Sequence, residues 1–403
     1  MGTGGLSAAR LRRMHDVLAG HVGNGELPGI ITLVSRHGEV HVDVIGTLAV
    51  GGTAPMERDT IFRISSMTKP IVAAAAMILV EECRLRLDEP VDELLPELAD
   101  RQVLKSLESE LDDTVPANRP ITLRDLLTFR WGMGQIIGPP DQYPILAVGT
   151  ERKVITGAPE PSSMLPADEW LRRLGELPLM HQPGEKWLYN TGSDVLGVLI
   201  SRVTGQSLEE FLRARIFEPL GMADTAFSVP ARDVDRLATS YMPNMKSGEL
   251  ELFDEGAGGQ WTSPPPFQSG AGGLVSTVDD YLAFGTMMLN GGRVGSAERI
   301  LSRLSVQVMT TDQLTPAQKA ISGFIPGYFD NLGWGFGMSV ATGRDGLFSV
   351  PGRYGWDGGL GTTWATDPAE DMVGIMMSQR AGFPLMSKVY QDFWTSAYQA
   401  IDD

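Results

Sequence analysis

Cysteine and histidine are scarce in this chain, and their scarcity limits the chemistry that it can perform. Cys83 is the single cysteine among 403 residues, which excludes an intrachain disulfide and a cysteine-based zinc site. Most of the five histidines lie near the start of the chain, and none belongs to an H-E-x-x-H pattern or a comparable metal-ligating spacing. We therefore expect no metal and no cofactor.

Positive charge and long apolar runs are also in short supply. The chain has 33 Lys and Arg against 50 Asp and Glu, a formal net charge of −17. That excess repels phosphate backbones and anionic lipids, so we expect neither a nucleic acid nor a membrane partner. The first residues lack the apolar stretch of a signal peptide, and no transmembrane-length apolar segment follows. The sequence predicts a cytoplasmic protein.

Strand-like patterns are concentrated at the two ends of the chain. After a helical pattern at residues 6–24, alternating and apolar runs predict strands, which continue near the other end before a final helix at 384–400. The predicted strands are 29–35, 39–45, 60–64, 334–342, 346–350, 362–366 and 372–378. Strands at both ends predict an α/β (α+β) fold in which one antiparallel sheet is built from the two termini and flanked by helices.

The middle of the chain has mainly helical patterns separated by Pro- and Gly-rich connections, such as those at 137–144 and 256–273. The predicted helices are 122–128, 167–174, 194–203, 207–216 and 277–289. We therefore expect a discontinuous α/β domain of residues 1–90 and 286–403, with a mainly helical domain inserted at 91–285. The active site is expected in the cleft between them.

The strongest chemical signal is S-M-T-K, from Ser66 to Lys69. It opens a helical pattern over 66–87 that is apolar on every side at 71–80, which is typical of a buried helix, and Pro70 fits only the first turn. Side chains at i and i+3 share a helix face, so Lys69 can reach the Ser66 hydroxyl. Burial lowers the pKa of a lysine and makes it a workable base for a serine nucleophile. Alone, this four-residue pattern also fits an ordinary helix start.

Two further segments have residues suited to acyl transfer. Tyr189 precedes a predicted helix, where a tyrosine can exchange protons with a nucleophile, although a half-buried structural tyrosine fits the same pattern. The glycine-rich segment 354–362 enters an apolar strand, and a backbone N–H there, with that of Ser66, can form an oxyanion hole. A glycine-rich hairpin without such a role is the alternative. No G-x-S-x-G motif or phosphate-binding glycine loop competes with this interpretation.

Together these motifs resemble the serine β-lactamase and penicillin-binding-protein superfamily, in its class C-like branch and closest to the family VIII carboxylesterases. The resemblance covers roughly residues 15–400 and is carried by F-R-I-S-S-M-T-K at 62–69, I-T-L-R-D-L-L-T at 121–128, P-G-E at 183–185 and G-G-L-V-S-T at 272–277. It implies a β-lactamase/transpeptidase-like fold. It also implies roles for three side chains: Ser66 as the acylated serine, Lys69 as its base and Tyr189 as the general acid and base.

The resemblance also places the substrate-binding region. Trp356-Asp357-Gly358 stands where lactamases have K-T-G, and Gly359 matches the residue whose N–H completes the oxyanion hole with that of Ser66. Trp356 thus replaces a lysine that faces the substrate carboxylate in lactamases and peptidases, and the Asn of Y-x-N is absent two residues after Tyr189. The Lys246 tripeptide K-S-G lies too early in the chain to serve as K-T-G.

The loop 128–133 lacks the H-T-S-G of many relatives. Phe129 and Trp131 are candidates for an apolar substrate wall there, with core packing as the alternative.

These features favour a carboxylesterase that cleaves short-chain acyl esters, with a small-molecule ester as its partner. Loss of the cation at position 356 favours neutral esters over carboxylate-bearing lactams. A β-lactamase or D-alanyl-D-alanine peptidase, an acyltransferase to an alcohol, and a non-catalytic ligand-binding relative are the alternatives.

Overall fold

The computed structural model describes residues 4–136, 142–155, 157–244, 246–295, 298–382 and 387–403. The predicted connection at 137–144 and the first residues of the predicted helix at 384–400 therefore lie partly outside the described residues. Within the described ranges, no helix combines the length and apolar character needed to cross a bilayer.

Strands occur near both ends of the chain and as short pairs between. They are β1 Gly29–Arg36, β2 Glu39–Gly46, β3 Phe62–Arg63, β4 Gln102–Leu104, β5 Thr114–Pro116, β6 Ser240–Pro243, β7 Leu250–Asp254, β8 Val275–Ser276, β9 Arg293–Val294, β10 Glu298–Arg299, β11 Leu332–Trp334, β12 Ser339–Ala341, β13 Tyr354–Gly358, β14 Thr362–Asp367 and β15 Met372–Ser378.

Seven of these strands form one sheet in the order β11-β12-β13-β14-β15-β1-β2, with every neighbouring pair antiparallel. Strand β1 from the beginning of the chain lies beside β15 from its end, with Ile31 opposite Met377. The expected antiparallel sheet from both ends of the chain is confirmed.

Helices cover both faces of this sheet and alternate with long irregular connections in the intervening chain. They are α1 Ala8–Gly23, α2 Thr68–Glu81, α3 Leu123–Leu127, α4 Pro144–Glu151, α5 Ala167–Gly175, α6 Thr191–Thr204, α7 Leu208–Leu212, α8 Glu218–Leu220, α9 Val278–Leu289, α10 Arg303–Met309, α11 Pro316–Ala320 and α12 Lys388–Gln399.

The alternation of β1 shows how the sheet is buried on both sides. Ile30 and Val34 pack with α1 and α12, whereas Ile31 and Leu33 face the larger core that contains α2. Because successive strand residues point to opposite faces, such a strand is apolar at nearly every position when helices cover both sides.

Helix α2 is buried as its composition predicts. Every residue from Thr68 to Leu79 is buried, and Pro70 occupies the first turn, where its missing N–H costs no helical hydrogen bond. A 3₁₀ turn, Ser65–Met67, leads into the helix. The Tyr281 hydroxyl of α9 donates to the Met67 carbonyl at 2.8 Å and so holds the 3₁₀ turn in place.

Three strand predictions are wrong in detail. The run at 334–342 covers only the last residue of β11 and all of β12, because the segment between these strands turns back at Gly337, whose φ is +71°. Residues 346–348 form a bend, residues 349–350 have no regular structure, and none of them pairs in a strand. Only Phe62 and Arg63 of the run 60–64 pair as a strand, with β8. Short apolar runs do not by themselves specify a pairing partner.

Candidate active site

Ser66 lies in the 3₁₀ turn between β3 and α2, which the neighbouring backbone holds in place. The Ile64 N–H donates to the Leu274 carbonyl at 3.0 Å, and β3 pairs with β8 on the same side. Ser65 has a φ of +46°, a left-handed conformation that L-residues adopt at a cost. The Ser66 side chain is half-buried and faces a cavity.

Lys69 reaches Ser66 as the i, i+3 spacing predicts. Its Nζ lies 2.9 Å from the Ser66 Oγ and 2.5 Å from the Ala271 carbonyl oxygen, and the side chain is fully buried. Burial lowers the pKa of Lys69 to about 7, against the opposing effect of the Asp194 carboxylate. A large fraction of Lys69 is therefore an uncharged amine at neutral pH, which can accept a proton.

Tyr189 meets the same pair of side chains. Its hydroxyl is hydrogen-bonded to Ser66 and accepts the Trp356 indole N–H at 2.7 Å. The Lys69 Nζ lies 4.6 Å from the centre of its ring. Burial raises the pKa of Tyr189 above its usual value, so the phenol keeps its proton at neutral pH. Because the indole is only a donor, the phenol proton is directed towards Ser66.

A tight turn delivers Tyr189 to this position. Asn190 has φ +84° and ψ −74°, and the Thr191 N–H donates to the Tyr189 carbonyl at 3.3 Å. This is a γ-turn with positive φ, a strained geometry for a residue with a side chain. The Gln135 N–H donates to the same carbonyl at 2.8 Å, so the turn is held from two directions before α6 begins.

Strand β13 separates the side chains of Trp356 and Asp357. The Trp356 ring lies edge-on to Trp334, with ring centres 4.6 Å apart. The Asp357 carboxylate accepts the Thr363 hydroxyl at 2.5 Å, and Trp394 of α12 donates to that hydroxyl at 3.2 Å. Burial raises the pKa of Asp357 to about 6. Trp356 is thus the member of this segment that contacts Tyr189.

Gly358 and Gly359 lie where β13 turns towards β14. A Cβ at Gly358 would lie 2.3 Å from the Ile64 carbonyl oxygen, so this position needs a glycine. The Thr362 hydroxyl also donates to Ile64, at 3.2 Å, and brings the hairpin against the segment before Ser66. Gly359 is exposed and borders the same cavity as Ser66. Its role in an oxyanion hole stays a prediction.

The cavity has a volume of about 830 Å³. Ser66, Tyr189, Trp356, Asp357 and Gly359 line it, and aromatic or aliphatic side chains form much of the remaining wall, among them Leu332, Phe324, Tyr328, Phe348 and Leu360. Among the described residues that line it, the charged side chains are Arg353, Asp345 and Asp357, with more negative than positive charge. In the part of the chain that the structure describes, no group of three or more His, Cys, Asp or Glu residues is suited to a metal ion.

Phe129 and Trp131 lie behind the cavity and are absent from its lining. Both are almost fully buried, and the Phe129 ring packs edge-on against Tyr189, with centres 5.8 Å apart. The geometry therefore favours core packing, the second of the two interpretations of this loop. The Phe129 ring thus packs against the Tyr189 ring without lining the cavity.

Two groups near Lys69 were not singled out by sequence reasoning. Asp194 is buried in the first turn of α6, and the Ala271 carbonyl is a backbone group that no side-chain motif announces. An acidic residue in the first turn of a helix is ordinary, since it complements the helix dipole. The sequence signal that could have indicated Asp194 is its position at the start of the predicted helix 194–203, five residues after Tyr189.

Comparisons with known proteins identify the family of the chain. A family model described as Beta-lactamase matches residues 14–391. An uncharacterized protein of Mycobacterium tuberculosis is 37% identical over 366 residues, which cover 88% of this chain and 86% of that protein. Esterase EstB of Burkholderia gladioli is 29% identical over 400 residues, covering 93% and 92% of the two chains.

A solved structure, EstCE1, described as a hydrolase with promiscuous acyltransferase activity, has the same fold. Its TM-score is 0.79 at 26% sequence identity, with 98% of each chain covered. The fold expected from the resemblance is confirmed.

Proposed function

The chain belongs to the Beta-lactamase family, and from this premise we propose that it is a serine hydrolase that cleaves short-chain carboxylic esters through an acyl-enzyme on Ser66. The observation that carries the proposal is the contact of a fully buried Lys69 Nζ, with a pKa lowered to about 7, with the Ser66 Oγ at 2.9 Å. The similarity to proteins named as an esterase and a hydrolase supports the same reaction class.

The proposed acylation step moves one proton around a closed set of groups. The Ser66 Oγ attacks the ester carbonyl carbon while its proton passes to the Lys69 amine. Tyr189, which keeps its proton at rest, gives that proton to the departing alkoxide, and Lys69 returns a proton to Tyr189. The C–O bond to the alcohol breaks, and the acyl group remains on Ser66. The Ser66 and Gly359 N–H groups are the proposed oxyanion donors.

Deacylation runs the same proton path with water as the nucleophile. Water adds to the acyl carbon, its proton passes to the Tyr189–Lys69 pair, and Ser66 recovers a proton as the acid leaves. Trp356 and the Asp357–Gly359 segment are the proposed substrate-binding edge. The predicted two-domain division, with this site in the cleft, remains part of the proposal.

The charge of the cavity supports esters over lactams. Position 356 is a buried tryptophan that hydrogen-bonds Tyr189, and the charged residues in the described part of the lining are one arginine and two aspartates. Such a cavity offers little attraction to a substrate carboxylate, whereas its aromatic walls suit neutral acyl and alcohol groups.

Hydrolysis of p-nitrophenyl acetate and butyrate tests the proposal. We expect turnover by the wild type, a loss of at least about a thousandfold in kcat with Ser66→Ala, and an acyl adduct on the peptide that contains Ser66 in a quenched reaction analysed by mass spectrometry. Ser65→Ala is the matched control, because Ser65 is the adjacent buried serine, and it should keep the acylation. Undiminished turnover by the Ser66 variant would contradict the nucleophile assignment.

Acyl transfer to an alcohol is the second candidate, favoured by the acyltransferase activity described for EstCE1. It uses the same acyl-enzyme and replaces water with an alcohol. The ratio of transferred ester to free acid, measured with and without added benzyl alcohol, separates the two. A rising ester fraction with unchanged acylation rate supports transfer.

A further inference from the structure

Asp194 is a buried carboxylate beside the proposed catalytic groups. It lies in the first turn of α6 and is 7% exposed, yet it is absent from the cavity lining. A buried acid requires compensating partners, because loss of solvation disfavours its charged form. The partners of Asp194 therefore indicate what this acid holds in place.

Both hydrogen bonds to Asp194 come from one short segment. Its Oδ1 accepts the Ser269 hydroxyl at 2.6 Å and the Ala271 N–H at 3.1 Å. The segment passes very close to α6, since a Cβ at Gly270 would lie 2.3 Å from the Ser193 carbonyl oxygen. Asp194 thus holds the Ser269 side chain and the Gly270–Ala271 peptide, one on each side of Gly270, against the start of α6.

The Ala271 peptide links this anchor to Lys69. Its N–H donates to Asp194, and its carbonyl oxygen accepts a proton of the Lys69 Nζ at 2.5 Å. A neutral amine has two N–H bonds and one lone pair. One N–H bond points to the Ala271 carbonyl and the other faces the Tyr189 ring, whose centre lies 4.6 Å from the Nζ. The lone pair is then directed towards Ser66.

We propose that Asp194 is a positioning residue for acylation: it anchors the Ala271 peptide, which in turn orients the Lys69 amine against Ser66, and its charge supports the protonated amine formed during the reaction. The inference rests on the proposed function. Charged or titratable groups that face Lys69 are Asp194 from α6 and Tyr189 from the turn before it. Neither Asp194 nor Ser269 lines the cavity, so substrate binding should depend little on them.

Asp194→Asn separates charge from geometry. The amide oxygen keeps an acceptor for Ser269 and Ala271 while the negative charge is lost. Because the Asp194 carboxylate raises the pKa of Lys69, its removal should lower that pKa, and the acidic limb of kcat/KM against pH should move to lower pH. At pH 8 the variant should keep kcat within about threefold of the wild type, since the acceptor geometry remains.

Asp194→Ala and Ser269→Ala test the anchor itself. Removal of the acceptor frees the Ala271 peptide, and we expect kcat for p-nitrophenyl butyrate to fall about a hundredfold at nearly constant KM, as expected when a catalytic group loses its orientation. Ser269→Ala removes one of the two hydrogen bonds and should lower kcat by a smaller factor. It provides the test if the alanine variant at position 194 does not fold.

Asp280→Asn is a matched control. Asp280 is likewise buried in the first turn of a helix, α9, and its Oδ2 accepts a backbone N–H from Asp224 and the hydroxyl of Thr225, each at 2.8 Å. Its hydrogen bonds reach no proposed catalytic group. The variant should change the unfolding midpoint but leave both kcat and the pH profile as in the wild type.

Two results would overturn the inference. An Asp194→Asn profile with an unmoved acidic limb would remove the electrostatic role, and Asp194 variants that change only thermal stability, as Asp280→Asn does, would remove the positioning role. Ser66→Ala is measured in the same series. If it remains active, the proposed function fails as well; if it is inactive while the Asp194 variants behave like the control, only the inference fails.

Discussion

The contact between Trp356 and Tyr189 shows how one substitution in a family motif changes a site. The indole N–H at position 356 donates to the Tyr189 hydroxyl at 2.7 Å and cannot accept in return. Tyr189 therefore directs its own proton towards Ser66. Trp356 occupies the position at which lactamases, by the resemblance of the motifs, have a lysine. Its neutral N–H keeps Tyr189 oriented but provides no positive charge to attract a substrate carboxylate.

Replacement of Trp356 by lysine should move the preference towards lactams. Trp356→Lys restores a cation but loses the ring contact with Trp334, so we expect kcat/KM for p-nitrophenyl butyrate to fall about tenfold or more. The nitrocefin-to-ester ratio of kcat/KM should rise about tenfold, equivalent to about 1.4 kcal/mol of charge complementarity. Both substrates are measured on the same preparation.

Trp356→Phe is the control for that experiment. It removes the N–H donor, keeps an aromatic ring and adds no charge, so it should slow ester cleavage while leaving the substrate ratio near that of the wild type. Equal nitrocefin-to-ester ratios in the lysine and phenylalanine variants would contradict the electrostatic explanation of the ester preference.

The sequence indicated the side chains of this site better than their surroundings. Spacing on one helix face brought Lys69 to Ser66, and the resemblance pointed to Tyr189, which the structure places beside them. The Ala271 carbonyl was beyond prediction, because backbone groups have no sequence signature and this one comes from 202 residues further along the chain. Asp194 was overlooked because an acid at a helix start has an ordinary local explanation.

At the scale of the elements, two strained turns carry the site. Ser65 and Asn190 both have positive φ, and they directly precede Ser66 and follow Tyr189, respectively. Such conformations persist where the surrounding structure over-determines them. Here β3 pairs with β8 before the first turn, and the Gln135 N–H holds the Tyr189 carbonyl at the second.

Substitutions at Asn190 should separate stability from turn geometry. Asn190→Gly relieves the positive φ and should leave the protein as stable as the wild type or up to about 1 kcal/mol more stable. Asn190→Val cannot adopt φ +84° without further strain, so we expect a loss of about 2 kcal/mol in the free energy of unfolding and a lower kcat as Tyr189 shifts. Denaturant unfolding and p-nitrophenyl butyrate turnover measure the two effects.

Asn190→Ala should lie between these variants in both measurements. A valine variant with wild-type kcat would show that the γ-turn is not needed to deliver Tyr189.

Periodicity predicted regular elements well and irregular ones poorly. The strand predicted at 372–378 matches β15, and the helices at 6–24 and 277–289 match α1 and α9 within two residues at each end. The turn conformations at Ser65 and Asn190 were not predicted, because neither residue is a glycine and tertiary contacts impose them. The prediction of a strand at 346–350 was wrong. Its apolar residues Phe348 and Val350 pack in the core beside α1 and α12, but the segment has no strand with which to pair.

At the scale of the whole molecule, the first and last described segments of the chain are hydrogen-bonded to each other. Gly5 and Asp402 share a backbone hydrogen bond of 2.9 Å, and Ser7 donates to the Ala400 carbonyl at 2.8 Å. In the sheet, β1 and β2 from the beginning of the chain complete the edge that follows β15. If the two ends were joined and the chain were opened after β2, the seven strands of this sheet would follow one another along the chain in the same order as in the sheet.

That topology predicts an active circular permutant opened between Gly51 and Gly52. Both residues are exposed, and a Cβ at Gly51 would meet nothing within 4 Å. Because Gly5 and Asp402 are hydrogen-bonded to each other, a flexible linker of about five residues that joins Gly4 to Asp403 has only a short gap to span. The permutant should unfold in one cooperative transition and keep kcat for p-nitrophenyl butyrate within about tenfold of the wild type.

A second permutant, opened at Gly270, cuts the segment that Asp194 anchors and should fold with far lower kcat. An inactive first permutant would contradict the prediction that the two ends can be joined without loss of the site. An active second permutant would contradict the prediction that the segment anchored by Asp194 must be continuous.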